Sequence, residues 1–125
     1  MIFGIGTDIV AVARMRELWQ RHGERVLDKI LAPDERAACL AATEPARFMA
    51  KRFAAKEALG KALGSGMRAP VLLPEISVIH DALGKPDFTY GAALTAHMQH
   101  NGLTARLSIS DEQEYAVAFV VVECP

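Results

Sequence analysis

From Ile2 to Val10 the chain reads IFGIGTDIV, an apolar run broken by Thr7 and Asp8, and it predicts a strand. The next segment, residues 11–22, sets Met15, Leu18 and Trp19 among Arg14, Arg16, Glu17 and Arg21. That spacing predicts an amphipathic helix ended by Gly23. Val26, Leu27, Ile30 and Leu31 repeat at helical spacing in a second, short helix. Pro33-Asp34-Glu35 has the proline and acids of a helical first turn and predicts a helix to about Ala42. Thr43-Glu44-Pro45 opens the longest helix, which runs to Leu63 and is stopped by Gly64-Ser65-Gly66. Residues 73–80 predict a strand with Pro74 near its start. Leu83-Gly84-Lys85-Pro86 is a turn and residues 87–90 a returning strand. A helix over 91–100 closes at Asn101-Gly102. Strands follow near 104–110 and 115–123, joined by Asp111-Glu112-Gln113-Glu114. The last strand, YAVAFVVVE, is apolar on both faces, which predicts a central position. One strand, then helices, then mostly antiparallel strands make an α+β fold, a single domain over residues 1–125.

Composition narrows the classes. At 51% hydrophobic the chain supports a packed core, and 125 residues suit one domain. A formal net charge of −1 gives no bulk signal for nucleic acid or a membrane surface. No apolar run approaches the ~18 residues of a membrane span. The first residues, MIFGIGTD, lack the pattern of a signal peptide, so a cytoplasmic protein is expected. Cys39 and Cys124 have neither a disulfide framework nor metal-ligand spacing, and no base that would activate a thiol. His97 and His100 sit at i,i+3 without a third ligand and read as surface residues.

Two stretches carry candidate chemistry. In a strand, Gly4, Gly6 and Asp8 face the same side. A glycine inside a strand marks the close approach of a ligand or of another backbone. Two readings of GIGTDIV are open: an anionic side chain on a cleared floor that suits a cation, or a tightly packed strand whose Asp8 caps the following helix. The second stretch is RFMAKRFAAKEALGKALGSG, residues 47–66. Arg47, Lys51, Arg52, Lys56 and Lys61 form a basic helix with one acid, Glu57. Glu57 and Lys61 are one turn apart, which is either a solvated i,i+4 pair or a carboxylate for a metal beside a lysine for phosphate. Asp8 and Glu57 together could supply the one or two carboxylates that Mg²⁺ takes alongside substrate phosphates.

GIGTDIV together with FAAKEALGKALGSG resembles the two signatures of the holo-acyl-carrier-protein synthases, a family of 4′-phosphopantetheinyl transferases. LGKP at 83–86 and SISDEQEYAVAFVVVE extend the resemblance over nearly the whole chain. It implies the 4′-phosphopantetheinyl transferase fold and transfer of 4′-phosphopantetheine from coenzyme A to a serine of apo acyl carrier protein. Adenosine 3′,5′-bisphosphate leaves, and fatty acid biosynthesis is the process served. Asp8 and Glu57 become Mg²⁺ ligands against the coenzyme A pyrophosphate, and Lys61 the cation on its phosphates. The proton of the serine goes to Asp8, Glu57 or an oriented water.

The resemblance also makes Lys51 and Arg52 contacts of the coenzyme A phosphates. Ser65 and Gly66 fall beside the pantetheine or phosphates, Gly84, Lys85 and Pro86 near the adenine, and Ser110 by the nucleotide. Many relatives have histidine where this chain has Asp111, so no histidine contact carries over. Arg14, Leu18 and Arg21 lie on one helix face, where the family docks the acidic carrier protein. The family is homotrimeric with active sites between protomers, which sets Asp8 of one chain opposite Glu57 of another. No nucleic acid or membrane partner is implied. Two rival readings are a metal-dependent hydrolase of coenzyme A or another nucleotide pyrophosphate, which needs no carrier, and a non-catalytic coenzyme A-binding module.

Overall fold

In a computed structural model describing residues 1–125, β1 (Ile2–Ala11), β4 (Thr104–Asp111) and β5 (Tyr115–Glu123) form one antiparallel sheet in the order β1-β5-β4. The last strand is therefore central, as its composition predicts. Its inward residues Ala116, Ala118, Val120 and Val122 are fully buried. Tyr115, Val117 and Phe119 on the other face are exposed, as are Ile5 and Ile9 of β1. Both faces are apolar, but the chain covers only one.

The covered face packs on α4 (Pro45–Leu63), the long helix, which crosses β1 and β5. Alanines 46, 50, 54, 55, 58 and 62 are buried along it. Small side chains let the helix axis come close to the sheet. The approach is closest at Gly4 and Gly6. A Cβ on Gly4 would stand 1.9 Å from the carbonyl oxygen of Ala62, and one on Gly6 2.1 Å from that of Ala58. Gly4, Gly6 and Asp8 do share a face, but the floor beside the glycines is filled by the α4 backbone, not left open for a ligand. Gly60 is crowded less severely, by the loop that follows α4: a Cβ there would lie 2.8 Å from the end of the Met67 side chain and 3.1 Å from the Gly66 carbonyl.

Three helices pack beside α4, namely α1 (Val12–His22), α2 (Arg25–Ile30) and α3 (Arg36–Ala41), while α5 (Ala92–His100) lies against the strand Pro86–Tyr90. The helix expected from Pro33 to Ala42 divides into a 3₁₀ turn, Pro33–Glu35, and α3. Glu35 causes the division. Its carboxylate turns inward, accepts from the Ala32 and Val78 amides and from Lys56, and so cannot follow a regular helix surface. The strand expected over 73–80 begins later. Leu73–Glu75 is a 3₁₀ turn, and β2 spans Ile76–His80, pairing with β3 (Pro86–Tyr90) as a separate hairpin. Pro74 has no N–H for a ladder and a fixed φ, which favours the turn.

Candidate active site

Asp8 lies near the end of β1, opposite Ala118 of β5, and looks toward α4. Lys61 reaches it from α4, donating from Nζ to Asp8 Oδ1 at 3.2 Å and to the Thr7 carbonyl at 2.9 Å. Glu57 stands one turn earlier on the same helix. Burial, and then the negative charge of Asp8, push its carboxyl above the ordinary glutamate range; Lys61 and Arg14 oppose this more weakly. Asp8 caps nothing: α1 has Ala11 at its N-cap and no side-chain cap. Thus the packed-strand reading of GIGTDIV holds for its glycines and fails for its aspartate.

The two acids and the lysine meet within one chain. This corrects the expectation that Asp8 of one protomer faces Glu57 of another. A strand–helix contact made inside the protomer needs no second copy to bring them together. Two carboxylates crowded enough to raise one pKa favour a cation between them. No cluster of three or more His, Cys, Asp or Glu exists in the chain. Two carboxylates fit a hard cation that takes its remaining oxygens from phosphates and water. The Asp8 side chain is 18% exposed and that of Lys61 54%, so the lysine has room to swing from the acid to a ligand.

At the other end of α4, Arg47 and Lys51 lie on one face, four residues apart. They line a cavity of about 380 Å³ together with Phe48 and Asp111. Arg47 Nε donates to Asp111 Oδ2 at 2.7 Å. Ser110 precedes Asp111 in β4 and is exposed on the other face of the sheet, paired with Val117.

Comparison with known proteins shows the family. The model of the 4′-phosphopantetheinyl transferase superfamily matches residues 4–120. The chain belongs to that superfamily. It is 58% identical over 123 residues, 98% of each chain, to the holo-[acyl-carrier-protein] synthase of Dechloromonas aromatica. The crystal structure of the Neisseria meningitidis synthase superposes with a TM-score of 0.95 at 46% identity, over 98% of this chain and 99% of that one. The Bacillus anthracis synthase, solved in complex with CoA (3′,5′-ADP), gives 0.84 at 34% identity, over 100% and 99% of the two chains.

Within this superfamily member, the basic helix is less open than its sequence suggests. Lys56 is fully buried and Arg52 8% exposed, both turned toward Glu35. Lys56 Nζ donates to Glu35 Oε1 at 2.6 Å and to the carbonyls of Ile30 and Leu73. Arg52 Nε is 3.3 Å from Glu35 Oε2, and its guanidinium stacks 4.1 Å from the Phe48 ring. Burial lowers the pKa of both bases, while the paired carboxylate opposes that shift. Arg52, expected on the coenzyme A phosphates, is also the partner of Glu35 in a buried charge cluster. A buried charge needs such a partner, and Glu35 supplies it.

Ser65 and Gly66 follow α4, one turn beyond Lys61, and the Ser65 hydroxyl donates to the Gly66 carbonyl at 2.9 Å. Gly84 and Lys85 are in the β2–β3 turn and Pro86 opens β3; Gly84 takes φ 86° and Asp81 accepts the Leu83 and Lys85 amides. Lys85 and Pro86 line a cavity of about 300 Å³ with His80 and Arg106; Asp8, Glu57 and Lys61 are not part of it. The chain by itself does not join this turn to the acids.

On α1, Arg14 lies 5.3 Å over the Phe53 ring, and Arg21 pairs with Glu17 at 3.2 Å on the exposed side. Leu18 lines an apolar-floored cavity of about 500 Å³ with Val26, Ile30 and Phe53, rimmed by His22, Arg25 and Lys29. Arg25 and Lys29 were not singled out by sequence. Their i,i+4 spacing beside Val26 and Ile30 was the available signal. Arg47 was similarly passed over among five bases. Its spacing to Lys51 placed it on the right face, but its partner Asp111 lies 64 residues away. Cys39 is buried, which pushes its thiol up to about 11 and leaves it unreactive.

Proposed function

We propose that this chain transfers 4′-phosphopantetheine from coenzyme A to a serine hydroxyl of apo acyl carrier protein, releasing adenosine 3′,5′-bisphosphate. The observation that carries the reading is the junction of Asp8, Glu57 and Lys61 beside a cavity with an apolar floor and a basic rim. The first suits a pyrophosphate. The second suits an acidic helix with an apolar anchor.

Asp8 and Glu57 would hold Mg²⁺, which when bound neutralises charge on the pyrophosphate and polarises the phosphorus under attack. Lys61, released from Asp8, places its ammonium on the phosphate oxygens as negative charge redistributes toward the leaving group. The serine oxygen bonds to the phosphorus that bears the pantetheine, and the bond from that phosphorus to the bridging oxygen breaks. The electron pair leaves with adenosine 3′,5′-bisphosphate. The serine proton passes to a carboxylate of the pair or to a water it orients.

The exposed outer face, with Ile5, Ile9, Val117 and Phe119, supports a homotrimer in which the sheets cover each other. In such a trimer the Gly84–Pro86 turn of one protomer would complete the nucleotide site of the next. Light scattering should give three times the chain mass. No helix of the chain is long and apolar enough to cross a membrane. A cytoplasmic place, with fatty-acid carriers as substrates, accords with this reading.

The deciding experiment incubates the protein with coenzyme A, Mg²⁺ and apo acyl carrier protein, and weighs the carrier by mass spectrometry. A gain of one phosphopantetheine is expected. Release of phosphopantetheine without a carrier would instead establish a hydrolase. Coenzyme A binding that survives Glu57→Gln, with no turnover in the unmodified protein, would establish a binding module.

A further inference from the structure

Lys61 rests in a seat made of two protein oxygens. β1 is an edge strand, free of ladder partners on one side, and its Thr7 carbonyl accepts from the lysine ammonium at 2.9 Å. Asp8 Oδ1 accepts from the same ammonium at 3.2 Å. Glu57 has no ion-pair partner in the chain. Arg14 acts on Glu57 only from a distance, because it lies over the Phe53 ring. Of the two carboxylates that suit a divalent cation, one is therefore already held, and by a cation of the protein's own.

An ammonium on Asp8 and a divalent cation at the same carboxylate oppose each other by contact and by charge. A metal ion that arrives alone must free Asp8 and leave the lysine with only the neutral Thr7 carbonyl. A pyrophosphate offers that lysine charged oxygens instead. The Lys61 side chain is about half exposed, so no packing holds it back. Metal and pyrophosphate thus favour the same state of the protein, Lys61 off Asp8, for opposite reasons. One takes the acid and the other takes the lysine. Two ligands that favour one state tighten each other's binding reciprocally.

We propose that Lys61 is a latch on the metal site, holding Asp8 until a pyrophosphate draws the ammonium away. The inference rests on the transferase reading, which makes that pyrophosphate the one in coenzyme A. Its consequence is that metal and coenzyme A load together, and neither occupies the site well without the other. Direct contact of the metal with phosphate adds a coupling of its own. Only the part that runs through the latch disappears with the lysine.

Mn²⁺ titrations followed by electron paramagnetic resonance measure this without turnover. The unmodified protein, Lys61→Met and Arg14→Met are each titrated alone and with saturating coenzyme A, with no carrier present. Lys61→Met keeps the length of the side chain and loses its charge. Alone, it should bind Mn²⁺ about fivefold more tightly than the unmodified protein, the low end of ordinary coupling, because an ion pair half open to water is weak. With coenzyme A bound, the two should agree within about twofold, since the lysine has then left Asp8 in the unmodified protein as well. Arg14→Met removes a nearby charge but no occupant of Asp8, and should change Mn²⁺ affinity by less than about twofold in either state.

A Lys61→Met protein that alone binds Mn²⁺ no better than the unmodified one overturns the proposal, because Asp8 was then never held. An equal gain with and without coenzyme A overturns it too, as that is plain charge repulsion. So does an equal gain in Arg14→Met. Thermal melting identifies a Lys61→Met protein that does not fold, and Lys61→Gln, which can still donate to the Thr7 carbonyl, then decides by the same comparison. If the unmodified protein loads no carrier, the transferase reading fails separately. Inorganic pyrophosphate then replaces coenzyme A in the titrations, and a gain in Lys61→Met that is the same with and without it would sink the latch.

Discussion

Replacing Gly6 by alanine adds one methyl group to the contact between β1 and α4. The new Cβ would stand 2.1 Å from the Ala58 carbonyl oxygen, 2.8 Å from the Ala62 nitrogen and 3.0 Å from the Lys61 Cβ. Ordinary contact begins near 3.4 Å, so strand and helix must separate by about 1.3 Å. Overpacking costs about 1–3 kcal/mol where side chains can rotate away. Here the two nearest groups are backbone and cannot, which puts the cost at about 3 kcal/mol or above. For a domain of this size that is a fall of roughly 10 °C in Tm. The separation also carries Asp8 away from Glu57 and Lys61. A misplacement of about 1 Å can cost 10²-fold in rate, so carrier loading should fall by about that factor even where the variant is folded. Calorimetric melting and the loading rate, measured below the new Tm, give both numbers. Gly23→Ala is the control: it strains a glycine at φ 60° with no atom within 4 Å, and should cost about 1 kcal/mol without touching catalysis. Stability within about 0.5 kcal/mol of the unmodified protein, with full activity, would refute the claim that Gly6 exists to admit the α4 backbone.

Four further outcomes are expected. Lys61→Ala should lower kcat by about 10²–10³-fold and leave the Tm nearly unchanged, since its bond to Asp8 is at the surface; a large loss of stability would show it to be structural. Glu57→Gln should abolish metal-dependent loading yet melt higher than the unmodified protein at about pH 8 with a chelator present. A carboxyl with a raised folded pKa is destabilising once ionised, so stability is lost as pH rises from the ordinary glutamate value through the raised one. The advantage of glutamine should therefore vanish below about pH 4. Glu35→Gln leaves the fully buried Lys56 without its counter-charge and should cost about 3–5 kcal/mol in urea unfolding; a cost under about 1 kcal/mol would mean the lysine is neutral in the fold. Arg25→Glu, on the rim of the apolar cavity, should raise KM for carrier protein and flatten its salt dependence with KM for coenzyme A unchanged; equal changes in both would remove that cavity from docking.

Elements with strong local signals are placed as the sequence predicts. Helix α4 begins at Pro45 and ends at a left-handed Gly64 because a proline and a glycine determine those ends by their own geometry. Strand β5 is central because its apolar run tolerates neighbours on both sides. The two boundaries that moved have causes of longer range. Glu35 breaks a helix to reach Lys56, 21 residues on. Leu73, at the start of the turn that replaces the first part of a strand, offers its carbonyl to the same lysine. Periodicity registers the face of a residue and not its partner, so neither could be read locally.

The candidate site divides in the same way. Asp8, Glu57 and Lys61 stand out in the sequence because an acid in a strand and an acid–lysine pair among glycines are chemically conspicuous, and their joint pattern resembles a transferase signature. Their meeting inside one protomer was decided by the tertiary contact of β1 with α4. So was the purpose of the glycines, which admit a helix backbone rather than a ligand. Which of five bases on α4 remain available was also a matter of tertiary structure, because the sign of a charge is written in the residue but its partner is not. Glu35 draws Lys56 and Arg52 inward, while Asp111 leaves the fork of Arg47 facing outward. The sequence by itself determined which side chains could do chemistry here. Only the fold determined which of them are spent on each other.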